Sequence, residues 1–198
     1  MHAHHAHKRH LAGFTLIEVL VTMIVLSVGL LGTAALQITG IRSATGATSR
    51  TQATLLADDI VERMRANVTA VDTPNAFAAV DSAAIDCTAL PNPYCAEHND
   101  GSGTVAAQTC TTTEMAAYDI NVWFCGINSG GTRRGGVVNS LPAATASITC
   151  VDKDTSDTDV CTNRSSHNIT IGWTENRPEE DSAGTSTITQ SISLTIQL

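Results

Sequence analysis

Charge is nearly absent from one long stretch of this 198-residue chain. From Phe14 to Leu36, 23 residues carry one charged side chain, Glu18. Proline is missing from Phe14 to Thr73, so nothing in that stretch forbids an unbroken helix. At about 1.5 Å per residue the apolar part reaches about 34 Å, enough to cross a bilayer core. A carboxylate in such a span costs about 2.5–3.5 kcal/mol and calls for a partner or a task. Acid is missing ahead of it: residues 1–13 hold Lys8, Arg9 and five histidines (His2, His4, His5, His7 and His10) with no Asp or Glu. Base ahead of an apolar run places the leader in the cytoplasm and the bulk of the chain outside it.

An excess of base is missing too. The formal net charge is -8, and losing the leader with Lys8 and Arg9 would take it to -10. That balance argues against a nucleic-acid binder that works by neutralising phosphates. No nucleophile elbow, His-Glu-x-x-His helix or phosphate loop occurs, and those are the patterns that carry the commonest chemistries. Outside the leader only His98 and His167 remain, and the adjacency of Ser166 to His167 does not make triad geometry. Neither an enzyme nor a cofactor is expected. The histidine-rich leader reads as a segment destined for removal, or as a tag, in preference to a metal site.

Cysteine is present, but never as Cys-x-x-Cys. Cys87, Cys95, Cys110, Cys125, Cys150 and Cys161 all lie beyond the apolar run at wide spacings, which disfavours zinc. An even number of cysteines behind an export signal reads as disulfides formed in an oxidising compartment. Sequence does not fix the pairing; Cys150 with Cys161, bracketing a polar loop, is the one local expectation. That loop carries Asp152, Asp154, Asp157 and Asp159, a candidate calcium site. It lacks the Gly and the closing Glu of an EF-hand loop, so a solvated loop is the expectation and no metal is assigned. Asn67, Asn163 and Asn168 match Asn-x-Ser/Thr, a pattern that a Thr-rich chain yields by chance.

Periodicity organises the remainder. Ala53, Leu56, Ile60, Met64 and Val68 step by three or four, an apolar helical stripe, with Asp59 and Arg63 at i,i+4 on its solvated side. One helix is therefore expected from Phe14 to Val68, about 80 Å at about 1.5 Å per residue, with Gly29, Gly32, Gly40 and Gly46 as points where it bends or melts and Thr73-Pro74 as its end. Residues 75–109 read as loop with short helical pieces. Thr111-Thr-Thr-Glu114 fits a capping box opening a second helix through Met115, Tyr118, Val122 and Cys125, although Ile120, Val122 and Phe124 would also suit a strand. Gly130 to Gly136, with Arg133 and Arg134, reads as a flexible loop. Segments 145–151, 167–174 and 186–197 alternate apolar with polar and read as strands. In the last, Ile188, Ile192, Leu194 and Ile196 share a face that Gln190 interrupts.

The expected fold class is α+β: a long N-terminal helix, membrane-spanning in its first half, packed in its second half on a small antiparallel sheet of three or four strands in a disulfide-bonded domain. The expected division is a leader at 1–13, a helix at 14–70 with its transmembrane part at 14–36, and a globular domain at 71–198.

Gly13-Phe14-Thr15-Leu16-Ile17-Glu18, behind a basic leader and opening an apolar helix, resembles the type IV prepilin signature. That resemblance implies cleavage by a prepilin peptidase between Gly13 and Phe14, methylation of the new Phe14 amine, and departure from the inner membrane into a helical fibre. The new amine would stand four residues from Glu18. Glu18 is implied to pair with it, in its own subunit or in a neighbour, where good geometry in low dielectric sets register. Leu56-Ala-Asp-Asp-Ile-Val-Glu-Arg-Met-Arg-Ala-Asn67, Met115 to Trp123, Leu141-Pro142 and Ile171-Gly-Trp173 are similar to PilV-type minor pilins. This narrower likeness implies a low-abundance subunit that helps prime type IV pilus assembly near the tip, in a machine serving twitching motility and adhesion. The partners it implies are major and minor pilins, a pilus tip protein, the prepilin peptidase and an inner-membrane assembly platform, with no nucleic acid. The alternatives are a type II secretion pseudopilin, a membrane-anchored periplasmic binding or adhesion module that never polymerises, and a secretory signal cut near Ala34-Ala35.

Overall fold

A computed structural model describes residues 13–72, 75–154, 156, 158, 160, 161, 165–178 and 185–198. The leader histidines, Lys8, Arg9, Thr73-Pro74, Asp157, Asp159 and Asn163 lie outside the described residues. The chain falls into two units, 1–45 and 46–198. Helix α1, Leu16–Ala66, crosses that division as one 51-residue element. Its apolar stretch is long enough to cross a membrane, and none of that stretch is buried.

In the first unit α1 runs through Gly29, Gly32 and Gly40 without interruption. Four hydroxyls of this stretch are absorbed by the helix itself. Thr22 donates to the Val19 carbonyl (2.8 Å), Ser27 to Met23 (2.7 Å), Thr33 to Leu30 (2.9 Å) and Thr39 to Ala35 (3.2 Å). Hydroxyls that bond back to their own helix need no outside partner, which is what a lipid-facing helix requires.

In the second unit, Ser49, Ala53, Ala57, Ile60, Val61 and Met64 form the buried stripe of α1. The stripe stops before Val68, which is exposed. Asn67 interrupts the helix: its side-chain amide donates to the Thr112 carbonyl at 2.7 Å, and α2, Val68–Asp72, restarts behind it with Val71 turned inward instead.

Strand β1 follows at Ala79–Asp81, then short strands β2 (His98–Asn99) and β3 (Thr104–Val105). Helix α3 covers Thr112–Cys125 and opens on a complete capping box: the Glu114 N–H donates to the Thr111 hydroxyl, and the Thr111 N–H donates to the Glu114 carboxylate. The remaining elements are β4 (Ile127–Ser129), β5 (Thr132–Arg134), α4 (Gly136–Ser140), β6 (Thr145–Val151), β7 (Ser166–Pro178) and β8 (Thr185–Gln197). The main sheet is antiparallel in the order β1-β6-β7-β8. Register pairs Ile148 with Ile169 and Ile169 with Leu194, so one face joins α1 and α3 in a single core with Ile60, Met64, Trp123 and Trp173. Gln190 stays on that half-buried face, opposite Trp173, within 3.4 Å of an Arg50 guanidinium nitrogen.

Two expectations fail here. Segment 75–109 contains a sheet strand, β1, which is fixed by its pairing with β6 and not by any pattern of its own. Residues 130–136 are not loop throughout: Gly130 and Gly131, both at positive φ (62° and 77°), turn a β4–β5 hairpin. Arg133 is drawn inward, donating to the carbonyls of Gly126 (2.8 Å) and Ala89 (3.1 Å) and to the Asn121 side-chain oxygen. Arg134 remains exposed. Gly126 and Gly136 close the base of this hairpin. A Cβ on Gly126 would lie 2.3 Å from the Arg134 carbonyl, and one on Gly136 would lie 2.3 Å from the Gly126 nitrogen.

Candidate functional site

The start of α1 is built by Thr15. Residues 13–15 are not helical, and the helix begins where the Thr15 hydroxyl accepts the Glu18 N–H at 3.3 Å. This fills one of the donors that a helix start leaves orphaned. Thr15-Leu-Ile-Glu18 has the spacing of the box at Thr111–Glu114, but only its first half forms. Among the described residues no ion pair reaches the Glu18 carboxylate, which sits exposed in the first turn. Acid at that end also meets the positive pole of the helix dipole.

Ahead of it, the bond between Gly13 and Phe14 lies in non-helical backbone. A Cβ at Gly13 would meet no atom within 4 Å, and Phe14 is 83 % exposed. Helical peptide bonds are held in their own hydrogen bonds, whereas this one lies ahead of the helix. Gly13, Phe14 and Glu18 thus stand together at the mouth of an uncovered apolar helix that includes Leu16, Ile17, Leu20, Ile24 and Leu30.

The six cysteines form three bridges, Cys87–Cys125, Cys95–Cys110 and Cys150–Cys161. The last is the local pairing expected from sequence; the other two tie the 75–110 segment to α3 and to itself. In the acidic loop, Asp152 accepts from the Ser165 hydroxyl (3.0 Å) and Asp154 from the Ser156 N–H (3.0 Å). The Ser156 bonds hold the Asp154 carboxyl below its ordinary range. Both carboxylates serve the loop itself, and among the described residues acidic side chains form no metal-holding cluster. Among the described residues the one group with ligand-like spacing is Cys150, Cys161 and His167, and its sulfurs are joined to each other. A shallow groove of about 480 Å³ beside α3, lined by Val80, Ile85, Leu90 and Ile120, has Asp81 and Asp86 at its wall. Those carboxylates accept the N–H groups of Ala83 and Thr88 and so belong to turns.

Three features escaped the sequence reading. The Thr15 cap was readable from the same Thr-x-x-Glu spacing recognised at residues 111–114. The bonding of Thr and Ser back to the helix has no pattern beyond their presence in an apolar run. His167 beside a disulfide has no sequence signal at all, because the pairing of β6 with β7 creates it.

Comparison with known families gives two adjoining matches. Residues 8–34 match the prokaryotic N-terminal methylation motif, and residues 35–121 match the family described as Type IV pilin Tt1218. The chain therefore carries a type IV pilin domain behind an N-terminal methylation motif. No curated protein and no solved structure gives a significant match.

Proposed function

We propose that this chain, with its pilin domain and methylation motif, is a minor pilin of the PilV type. In this reading a prepilin peptidase removes Met1 to Gly13 and the new amine of Phe14 is methylated. The subunit waits in the bacterial inner membrane with its disulfide-bonded domain in the periplasm, then enters a type IV pilus. There it helps to prime assembly near the tip, among major and minor pilins and a tip protein, on an inner-membrane platform. Its work is structural and not enzymatic.

The observation that carries this reading is the arrangement at the start of α1. An open, non-helical Gly13–Phe14 bond precedes a helix whose first turn holds an exposed Glu18. Cutting there creates a cation on the same segment as a lone carboxylate. In low dielectric an unpaired charge is the expensive state, so a neighbouring subunit that brings amine to carboxylate is favoured over one out of register.

The test is the intact mass of the native protein from cells with and without prepilin peptidase. Loss of Met1 to Gly13 with gain of one methyl group, only when the peptidase is present, is the expected result. An uncut chain, or a cut near Ala35, would overturn the proposal. For the minor role, immunogold counts on sheared fibres should find label rare and concentrated at one end; label along the whole fibre would overturn that part.

A further inference from the structure

The three disulfides sit in different surroundings. Cys150 lies directly opposite His167 in the β6–β7 ladder. The His167 ring turns Nε2 towards the Cys161 Sγ, at 3.7 Å. Ligand-type atoms of all three residues fall within 4.8 Å of one another, and among the described residues neither other bridge is grouped with a histidine or carboxylate in this way. The two cysteines also differ in burial. Cys161 is 4 % exposed, whereas Cys150 is only half-buried. Beside them in sequence, Val151 and Val160 expose 61 % and 65 % of their surface.

His167 is itself 3 % exposed, and its Nδ1 is buried without a hydrogen bond. Nδ1 has only the electrostatic pull of the Ser165 backbone and no hydrogen bond, whereas a proton on Nε2 points at sulfur at 3.7 Å and is the better satisfied of the two. The ring is thereby a donor aimed at one chosen sulfur, the less accessible one. Thiol–disulfide exchange needs this asymmetry: an attacker must reach one sulfur, and the other must leave as a stabilised thiolate.

We propose that Cys150–Cys161 is the exchangeable disulfide of this protein, opened by a dithiol oxidoreductase that attacks Cys150 while His167 receives the departing Cys161 thiolate. The partner's thiolate forms a bond to the Cys150 sulfur as the Cys150–Cys161 bond breaks. The electron pair goes to the Cys161 Sγ, where the Nε2–H bond holds its charge. The partner's second thiolate then attacks the partner sulfur of the mixed disulfide and releases Cys150. The bridge gains two electrons and two protons, and the dithiol becomes a disulfide. The partner docks on the apolar surface that Val151 and Val160 expose next to the two cysteines in sequence.

The groups facing His167 fit a neutral donor. Burial pushes its imidazole down, against the opposing pull of Asp72 and of the backbone at Ser165.

The test is a reduction time course on the full chain in detergent micelles, with dithiothreitol and separately with thioredoxin as reductant. Samples are alkylated and read bridge by bridge by peptide mass spectrometry. With either reductant Cys150–Cys161 is expected to open first. His167→Leu should slow that bridge alone by about tenfold, and His167→Gln, which offers an amide N–H in a similar place, should recover most of the rate. Val151→Asp with Val160→Asp should slow thioredoxin and leave dithiothreitol unaffected. The order of opening in the unaltered chain and the valine variants need no change at His167, so a folding defect there does not remove the test. Opening of Cys150–Cys161 no faster than the other two bridges, or a rate indifferent to His167→Leu in a folded variant, would overturn the proposal.

Discussion

Arg63 on α1 reaches Asp119 on α3 at 2.8 Å, and it holds Asp59, one turn back on its own helix, at 3.1 Å. The sequence pointed to the second contact only. The first matters more, because the Asp119 side chain is 14 % exposed and that of Asp59 is 45 % exposed. Asp119→Asn should cost about 1.5–3 kcal/mol, the range for hydrogen bonds to charged groups, and Asp59→Asn about 0–1 kcal/mol. Urea unfolding of the full chain in detergent checks both. Burial raises the Asp119 carboxyl above its ordinary value, with Arg63 pulling back. A carboxyl raised in the folded state stabilises most when protonated, and loses that contribution as pH rises through its folded value. The stability of the natural chain relative to Asp119→Asn should therefore fall as pH rises through the folded value of Asp119. A gap that widens with pH would mean the ion pair outweighs burial.

The inward turn of Arg133 gives a second contrast. Its flat guanidinium serves the Gly126 and Ala89 carbonyls and Asn121 at once, which one ammonium cannot do. Arg133→Lys should lower stability by about 2–3 kcal/mol, whereas Arg134→Lys, on the exposed side, should stay within about 0.5 kcal/mol. Thermal unfolding of the pair decides it; equal effects would show that the hairpin does not depend on this fork.

Disulfide removal should follow loop length. Cys87–Cys125 encloses a separation of 38 residues and Cys95–Cys110 one of 15. Replacing both cysteines of each pair by serine should cost about 4 kcal/mol for the first and about 3 kcal/mol for the second. The first also has Cys125 fully buried against the core, so its loss should exceed the chain-entropy figure. Denaturant midpoints of the two double variants give the order, and the reverse order would place the main constraint in the 95–110 loop.

Glu18→Ala should separate processing from assembly. The proposed cut after Gly13 falls in non-helical backbone ahead of the helix, and the Thr15 hydroxyl that starts the helix does not need the Glu18 side chain. The variant should therefore lose its leader normally, remain in the membrane and be missing from sheared fibres. Fibres that incorporate it at the normal level would remove Glu18 from assembly. Thr15→Val should fray the first turn at a cost of about 1 kcal/mol, visible as faster amide exchange at Leu16 to Glu18.

What the sequence made legible is what is local. The apolar run, the Thr111–Glu114 box, the alternation in β6, β7 and β8 and the pairing of Cys150 with Cys161 each depend on residues near one another in the chain. Hidden features depend on distant partners. Ala79-Val80-Asp81 becomes a strand only because β6 offers it an edge. The break at Asn67 exists because Thr112, 45 positions away, accepts its amide, and Cys87 meets Cys125 only when α3 folds back. Glycine-rich text around 130–136 reads as loop until Arg133 finds the carbonyls inside it. Gly13, Phe14 and Glu18 were readable because their proposed chemistry is written along one stretch of chain, while the surroundings of His167 required the sheet.

The hydroxyls of Thr22, Ser27, Thr33 and Thr39 bond to carbonyls of the helix that carries them. The four hydroxyls of this segment consequently ask nothing of its surroundings. Moving it from one apolar medium to another leaves none of those four bonds to be broken or remade; only the identity of the carbon atoms touching its surface changes. Such a helix is portable, and the resistance to lifting it out of a bilayer rests on van der Waals contact and on the single carboxylate at its start.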